Sequence, residues 1–231
     1  MNDTNRPTVE ERYSSAINTS NMKVVLDRPN VADVIIAAGW SRAKFGTALM
    51  RLQSEWDGSE KPRSLAPAAV KVLANVFTRE GVRDGKVVFK DAKSVVHLLP
   101  PAEAAKRQAH EWHMHELGVL FQKLKTLSEV RALMAEYAWL RNFQDPHTKA
   151  AAVISWWLHH TCTVCGGGKW EVIPGTNRHS NRACSSCKGS GDAQIPYEWE
   201  GRRMLSEIEK SLNQARCSMG AATSNKSREA P

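Results

Sequence analysis

The sequence predicts a mostly helical protein with one small cysteine module inserted near its C-terminal end. Three observations carry that expectation. Apolar residues recur at three- and four-residue spacing through most of the chain, the period of an amphipathic helix. Pro67, Pro101, Pro146 and Pro196 stand where helical stretches begin, the place a helix tolerates proline best. Two C-x-x-C pairs, Cys162/Cys165 and Cys184/Cys187, interrupt the helical pattern between two apolar segments.

Taken in order, residues 1–22 are polar and are expected to form a disordered arm, and residues 218–231 a disordered tail. Val31, Val34, Ile35 and Ala38, then Phe45, Leu49, Leu52 and Trp56, give two helices broken at Gly39-Trp40-Ser41. That turn has the outline of a helix-turn-helix, although a plain helical hairpin is the commoner meaning of such a pair. Pro67 to Glu80 reads as a helix closed by Gly81, and Asp84-Gly85, between Val82 and Val87-Val88-Phe89, as the turn of a small hairpin. Ala102 to Lys125 forms one long helix. Thr126-Leu127-Ser128-Glu129 reads as a capping box opening the next, with Val130, Leu133, Met134, Tyr137 and Leu140 on its buried side. Asp145 caps a further helix that runs through Val153, Ile154, Trp156, Trp157 and Leu158 into Cys162. After the module, Pro196 starts a last helix with Trp199, Leu205, Ile208 and Leu212 as its apolar stripe, and Trp156, Trp157 and Trp199 are expected in the core. The expected domains are a helical region with a hairpin over 23–100 and a second helical domain over 101–217, into which the module is inserted at 162–191.

The module itself is the most specific signal. Cys162, Cys165, Cys184 and Cys187 supply the four thiolates of a closed tetrahedral zinc site, and the gap from Gly166 to Ala183 falls within the ~15–20 residues typical of a zinc ribbon. One Zn²⁺ per chain is expected. Cys184 to Gly191 spells a full C-x-x-C-x-G-x-G knuckle, and Cys162 to Lys169 repeats it with Lys169 in place of the last glycine. Glycines there let backbone N–H groups turn toward the sulfurs. Disulfides are the rival use of such cysteines, but the polar N-terminus has no apolar signal segment, so a reducing cytoplasm is the expected compartment. Four protein sulfurs leave no open position for a reacting water, which makes the ion structural. With the set complete in cysteine, His159, His160 and His179 are expected at the surface or behind the ligands.

A formal charge of +8 and a pI near 9.4 favour a polyanionic partner. The basic groups in and beside the ribbon are the candidate DNA contacts: Lys149, Lys169, Arg178, Arg182, Lys188, Arg202 and Arg203. No apolar run is long enough to span a membrane. His110, His113 and Glu116 share one helical face and could make a weak metal site, for which a solvated face is the plainer account. Cys217 is a lone thiol near a chain end. No phosphate-binding loop, nucleophile elbow or H-E-x-x-H is present, nor the clustered carboxylates of a metal nuclease, so neither an enzyme nor a small-molecule substrate is expected.

In Asp33 to Gly39, Thr148-Lys149-Ala150 opening the helix before the first C-x-x-C, the two glycine-bearing knuckles, and Lys188 to Gly191 leading to a helix after Ile195-Pro196, the chain resembles the Q late-gene antitermination proteins of lambda-type phages. The likeness is densest over Thr148 to Leu212, and Lys169 departs from it. The resemblance implies a helical DNA-binding domain with an inserted zinc ribbon. It also implies binding to double-stranded DNA near a late promoter and loading onto sigma-containing host RNA polymerase, which then reads through terminators. The rival is a DnaJ-like zinc-ribbon protein that binds unfolded chains, or an RNA-binding adaptor. Against the first, a J-type chaperone carries four knuckles and a J domain, and Asp145-Pro146-His147 has that domain's signature residues in the wrong order.

Overall fold

The computed structural model describes residues 7–19, 31–40, 43–63, 65, 67–81, 84–92, 94–172 and 179–223. Among these residues the chain is mostly helical, with two small antiparallel sheets of two strands each. The order is α1 (Val9–Asn18), α2 (Val31–Trp40), α3 (Lys44–Asp57), α4 (Pro67–Gly81), β1 (Val87–Lys90), β2 (Val96–Leu99), α5 (Pro101–Lys123), α6 (Leu127–Leu140), α7 (Pro146–Leu158), β3 (Trp170–Val172), β4 (His179–Ala183) and α8 (Glu198–Thr223). Packing divides the chain after Gly58, Lys123, His160 and Gln194, rather than at residue 100. One unit holds α1, α2, α3, α6, α7 and α8, and the other holds α4, β1, β2 and α5 together with the cysteine module. No helix among the described residues is long and apolar enough to cross a membrane.

In the first unit, α8 is the common element, packed against α1, α2, α3 and α7. Met204, Ile208, Leu212, Ala215 and Met219 form its buried stripe. α3 comes so close that a Cβ on Gly46 would stand 2.0 Å from the Ser211 carbonyl oxygen. The expected disordered arm is corrected over residues 9–18, which are helical. The Thr8 hydroxyl accepts from the Glu11 N–H at 3.2 Å, and the Glu11 carboxylate accepts from the Thr8 N–H at 2.8 Å. This reciprocal capping box starts α1 in a polar sequence. Burial of Tyr13 and Ala16 holds the helix down, as do an ion pair between Glu10 and Arg216 and the Ser14 hydroxyl, 2.8 Å from that of Ser54. The expected tail is corrected likewise, since α8 runs to Thr223; residues 1–6, 20–22 and 224–231 lie outside the described residues.

Two further expectations are corrected in this unit. Thr126 makes no side-chain cap on α6. Its N–H and hydroxyl donate instead to Glu55 of α3, at 3.1 and 2.6 Å. The buried face of α6 is Leu127, Val130, Met134, Ala135 and Ala138, while Leu140 is 65% exposed. At 100° per residue, that face has turned to solvent two residues past Ala138. On α8, Trp199 is 59% exposed and meets Phe143 edge-on at 5.5 Å, so it rims the core rather than filling it. Pro146 opens α7 as expected, but Asp145 (φ +48°) contributes no side-chain cap.

In the second unit, Val87, Phe89 and Ala104 form a small core flanked by Phe77 and Leu99. The hairpin pairs Val87 with Leu99 and Phe89 with His97, so its turn lies between Lys90 and Val96 and not at Asp84-Gly85. Those two residues do take left-handed φ values of +53° and +73°, one turn ahead of β1; Val82 and Arg83 lie outside the described residues.

Candidate metal centre

The sulfur atoms of Cys162, Cys165, Cys184 and Cys187 lie within 4.8 Å of one another and all four residues are buried. None is in a disulfide. Sγ of Cys165 and Sγ of Cys187 are 3.7 Å apart. Four thiolates about 2.3 Å from one ion at tetrahedral corners stand about 3.8 Å from each other. The donor set therefore fits a metal-centred tetrahedron.

Two copies of one backbone turn build this centre, offset by the 22 residues that separate Cys165 from Cys187. The Cys162 N–H donates to the Gly191 carbonyl and the Cys184 N–H to the Lys169 carbonyl, both at 2.9 Å, so each knuckle closes the other. Gly168 donates to the Cys165 carbonyl as Ser190 does to that of Cys187. The bridge between Thr161 and Asp192 is the counterpart of the pairing between Ala183 and Trp170. Backbone angles follow the same repeat: φ is +57° at Gly166 and +52° at Lys188, +82° at Gly167 and +87° at Gly189, +66° at Lys169 and +88° at Gly191. Lys169 thus adopts, with a side chain, the conformation its counterpart glycine takes freely, at a cost of about 1–2 kcal/mol.

These left-handed turns aim amides at sulfur, as the 3.4 Å contact from the Gly191 N–H to Sγ of Cys187 shows. Burial alone would raise the Cys187 thiol, but hydrogen bonds from the Gly191 and Gly189 amides bring it down to about 6. Burial, and then the hydrogen bond with Cys187, push Cys165 up to about 11. The backbone amides therefore favour the thiolate form at Cys187, the form that a metal ligand must take.

β3 and β4 join the knuckles, with an irregular register between Trp170 and Val172. Lys169, Arg182 and Lys188 are exposed on this module, and among the described residues none is paired with an acid. Arg178 lies outside the described residues. Arg202 and Arg203 are exposed on α8 in the first unit. Lys149 is corrected as a DNA contact. It is buried, its Nζ lies 2.6 Å from the Glu200 carboxylate and 5.6 Å from the centre of the Tyr197 ring, so its charge is already matched inside the first unit.

Neither His159 nor His160 belongs to the four-sulfur group. The His159 ring lies 6.1 Å from that of Trp56 and the His160 ring 5.4 Å from that of Trp156, while the His179 side chain lies outside the described residues. Among the described residues the four cysteines are the one group of three or more metal-type donors within reach of each other, and His110, His113 and Glu116 do not form another. Trp170, 46% exposed next to Lys169, is a surface feature that sequence reasoning missed; its place directly after the knuckle was the available signal. No protein-family model matches the chain, and neither a curated protein nor a solved structure shows significant similarity to it.

Proposed function

We propose that the four thiolates hold one zinc ion and that the ribbon it closes binds double-stranded DNA, serving a transcription factor that loads onto RNA polymerase so that it reads through terminators. The observation that carries the DNA reading is the four-sulfur module presenting Lys169, Arg182 and Lys188, exposed and, among the described residues, without acidic partners. Such groups can neutralise phosphates with little reorganisation. Arg202 and Arg203, exposed on α8, are a second set of candidate contacts. The antitermination role rests on the resemblance to the Q proteins of lambda-type phages, and its mechanism is tethering: DNA is held, polymerase is engaged, and no bond is made or broken.

Two experiments test the reading. Arg182→Ala with Lys188→Ala should weaken duplex binding and flatten its salt slope by about one unit per lost phosphate contact. In single-round transcription, the protein should carry polymerase past an intrinsic terminator on templates with its cognate promoter-proximal DNA and not on others. Read-through that ignores the promoter DNA would favour an RNA-binding adaptor; absent read-through with suppression of protein aggregation would favour the DnaJ-like alternative. Deleting residues 1–22 is a poor probe of the polymerase surface, because it removes α1 and its buried Tyr13.

A further inference from the structure

The internal repeat supplies its own control for which ribbon side chains the fold requires. Residues 162 and 184, 165 and 187, 167 and 189 match in identity as well as in backbone, as a shared metal turn demands. At the positions between and after these the copies differ, and the largest changes of size and chemistry include Lys169 opposite Gly191 and Trp170 opposite Asp192. The backbone is the same in both, since Trp170 pairs with Ala183 as Asp192 pairs with Thr161. The ribbon therefore folds around this position with an aspartate and does not need an indole there. Nor does the indole serve the core: Trp170 is 46% exposed, and among the described residues it makes no ring contact. Lys169 beside it keeps a left-handed backbone, φ +66°, that glycine would take without strain.

We propose that Lys169 and Trp170 form a stacking site for an unpaired nucleobase, with the indole face taking the base and the Lys169 ammonium the adjoining phosphate. Duplex binding through phosphates needs cations but no exposed ring. A base released from its pair presents a π face, and an exposed tryptophan with a lysine on one side, here Lys169 before Trp170 with Glu171 after it, can capture the base and the phosphate beside it. Arg182, next to the Ala183 that pairs with Trp170, and Lys188, whose N–H donates to the Cys184 carbonyl at 2.7 Å, extend the positive field over the same module. Single-stranded DNA and single-stranded RNA both offer this chemistry.

The test uses the full-length, zinc-loaded protein and three labelled probes of one sequence: single-stranded DNA, single-stranded RNA and duplex DNA. Trp170→Ala should weaken binding to one or both single strands about tenfold, with little change on duplex, and Trp170→Phe should restore most of the loss. The strand that responds identifies the source of the base. Trp170→Asp, which installs the residue of the other copy, should keep zinc and lose single-strand binding. If the Ala variant fails to keep zinc, the Phe and Asp pair decides by the same criterion. Equal single-strand affinity in wild type and Trp170→Asp overturns the proposal, as does an equal loss on single strands and duplex. The proposal goes beyond the duplex reading and can fail separately from it, because Arg182→Ala and Lys188→Ala report on duplex binding while the Trp170 variants report on the unpaired base.

Discussion

Thr126 gives both its backbone N–H and its hydroxyl to one carboxylate, that of Glu55, at 3.1 and 2.6 Å and across 71 residues of chain. The contact fixes the first turn of α6 on the last turn of α3, and Arg51 stands 3.5 Å from the same carboxylate. A residue whose neighbours spell a helix cap is instead committed to a tertiary bond.

Thr126→Val should therefore destabilise the protein by about 1.5–3 kcal/mol, the worth of a part-buried hydrogen bond to a charged acceptor. Glu129→Ala, which would break a capping box, should change stability by less than about 0.5 kcal/mol. Combining Thr126→Val with Glu55→Gln should cost less than the sum of the two, since they remove one interaction. Urea denaturation of the four variants measures each quantity.

Lys169→Gly should stabilise the ribbon by about 1 kcal/mol, because it relieves a left-handed side-chain residue. Gly191→Ala should do the opposite. Its Cβ would enter at φ +88° and stand 3.0 Å from the Gly167 carbonyl oxygen. Zinc retention against a competing chelator, compared across the two variants, reads both effects; equal retention would show that the repeat does not govern ribbon stability.

Cys184→Ser should release the metal and unfold the ribbon, and elemental analysis should give one zinc per wild-type chain. The pH dependence follows from the thiols. Thiols must lose their protons to bind zinc, so affinity should fall as pH falls. Cys187 is depressed to about 6, so the stabilisation its thiolate provides is present above its ordinary range and is lost as pH drops through 6. Chelator competition from pH 8 to 5 should accordingly steepen near 6.

Gly46→Ala should cost about 3 kcal/mol or more, because the new methyl would overlap the Ser211 carbonyl and crowd the Ala215 Cβ at 2.9 Å. Thermal melting of this variant beside Gly39→Ala, where a Cβ meets nothing within 4 Å, separates close packing from helix propensity.

What was legible in the sequence was what local chemistry decides. Four cysteines at ribbon spacing come together as one buried four-sulfur group, and Pro67, Pro101 and Pro146 set helix starts by geometry alone. α1 was hidden because a polar composition outweighed its Thr8–Glu11 capping box. β2 was missed because Val95-Val96-His97-Leu98-Leu99 has no turn dipeptide before it. The misplacements of Thr126, Lys149 and Trp199 share one cause. Their partners Glu55, Glu200 and Phe143 are distant in sequence, and no window of local pattern contains them.

The way the first unit is assembled bears on how the protein is made. Its α1, α2 and α3 precede the second unit's helices in sequence, α6 and α7 follow them, and α8, which packs on four of these, is made after all five. On the ribosome, the earlier helices must wait with their α8-facing sides uncovered, whereas α4, the hairpin and α5 form one continuous stretch that can close as it emerges. Nascent chains halted before α8 should bind chaperones and yield to protease at α1 to α3, and emergence of α8 should seal that unit in a single step.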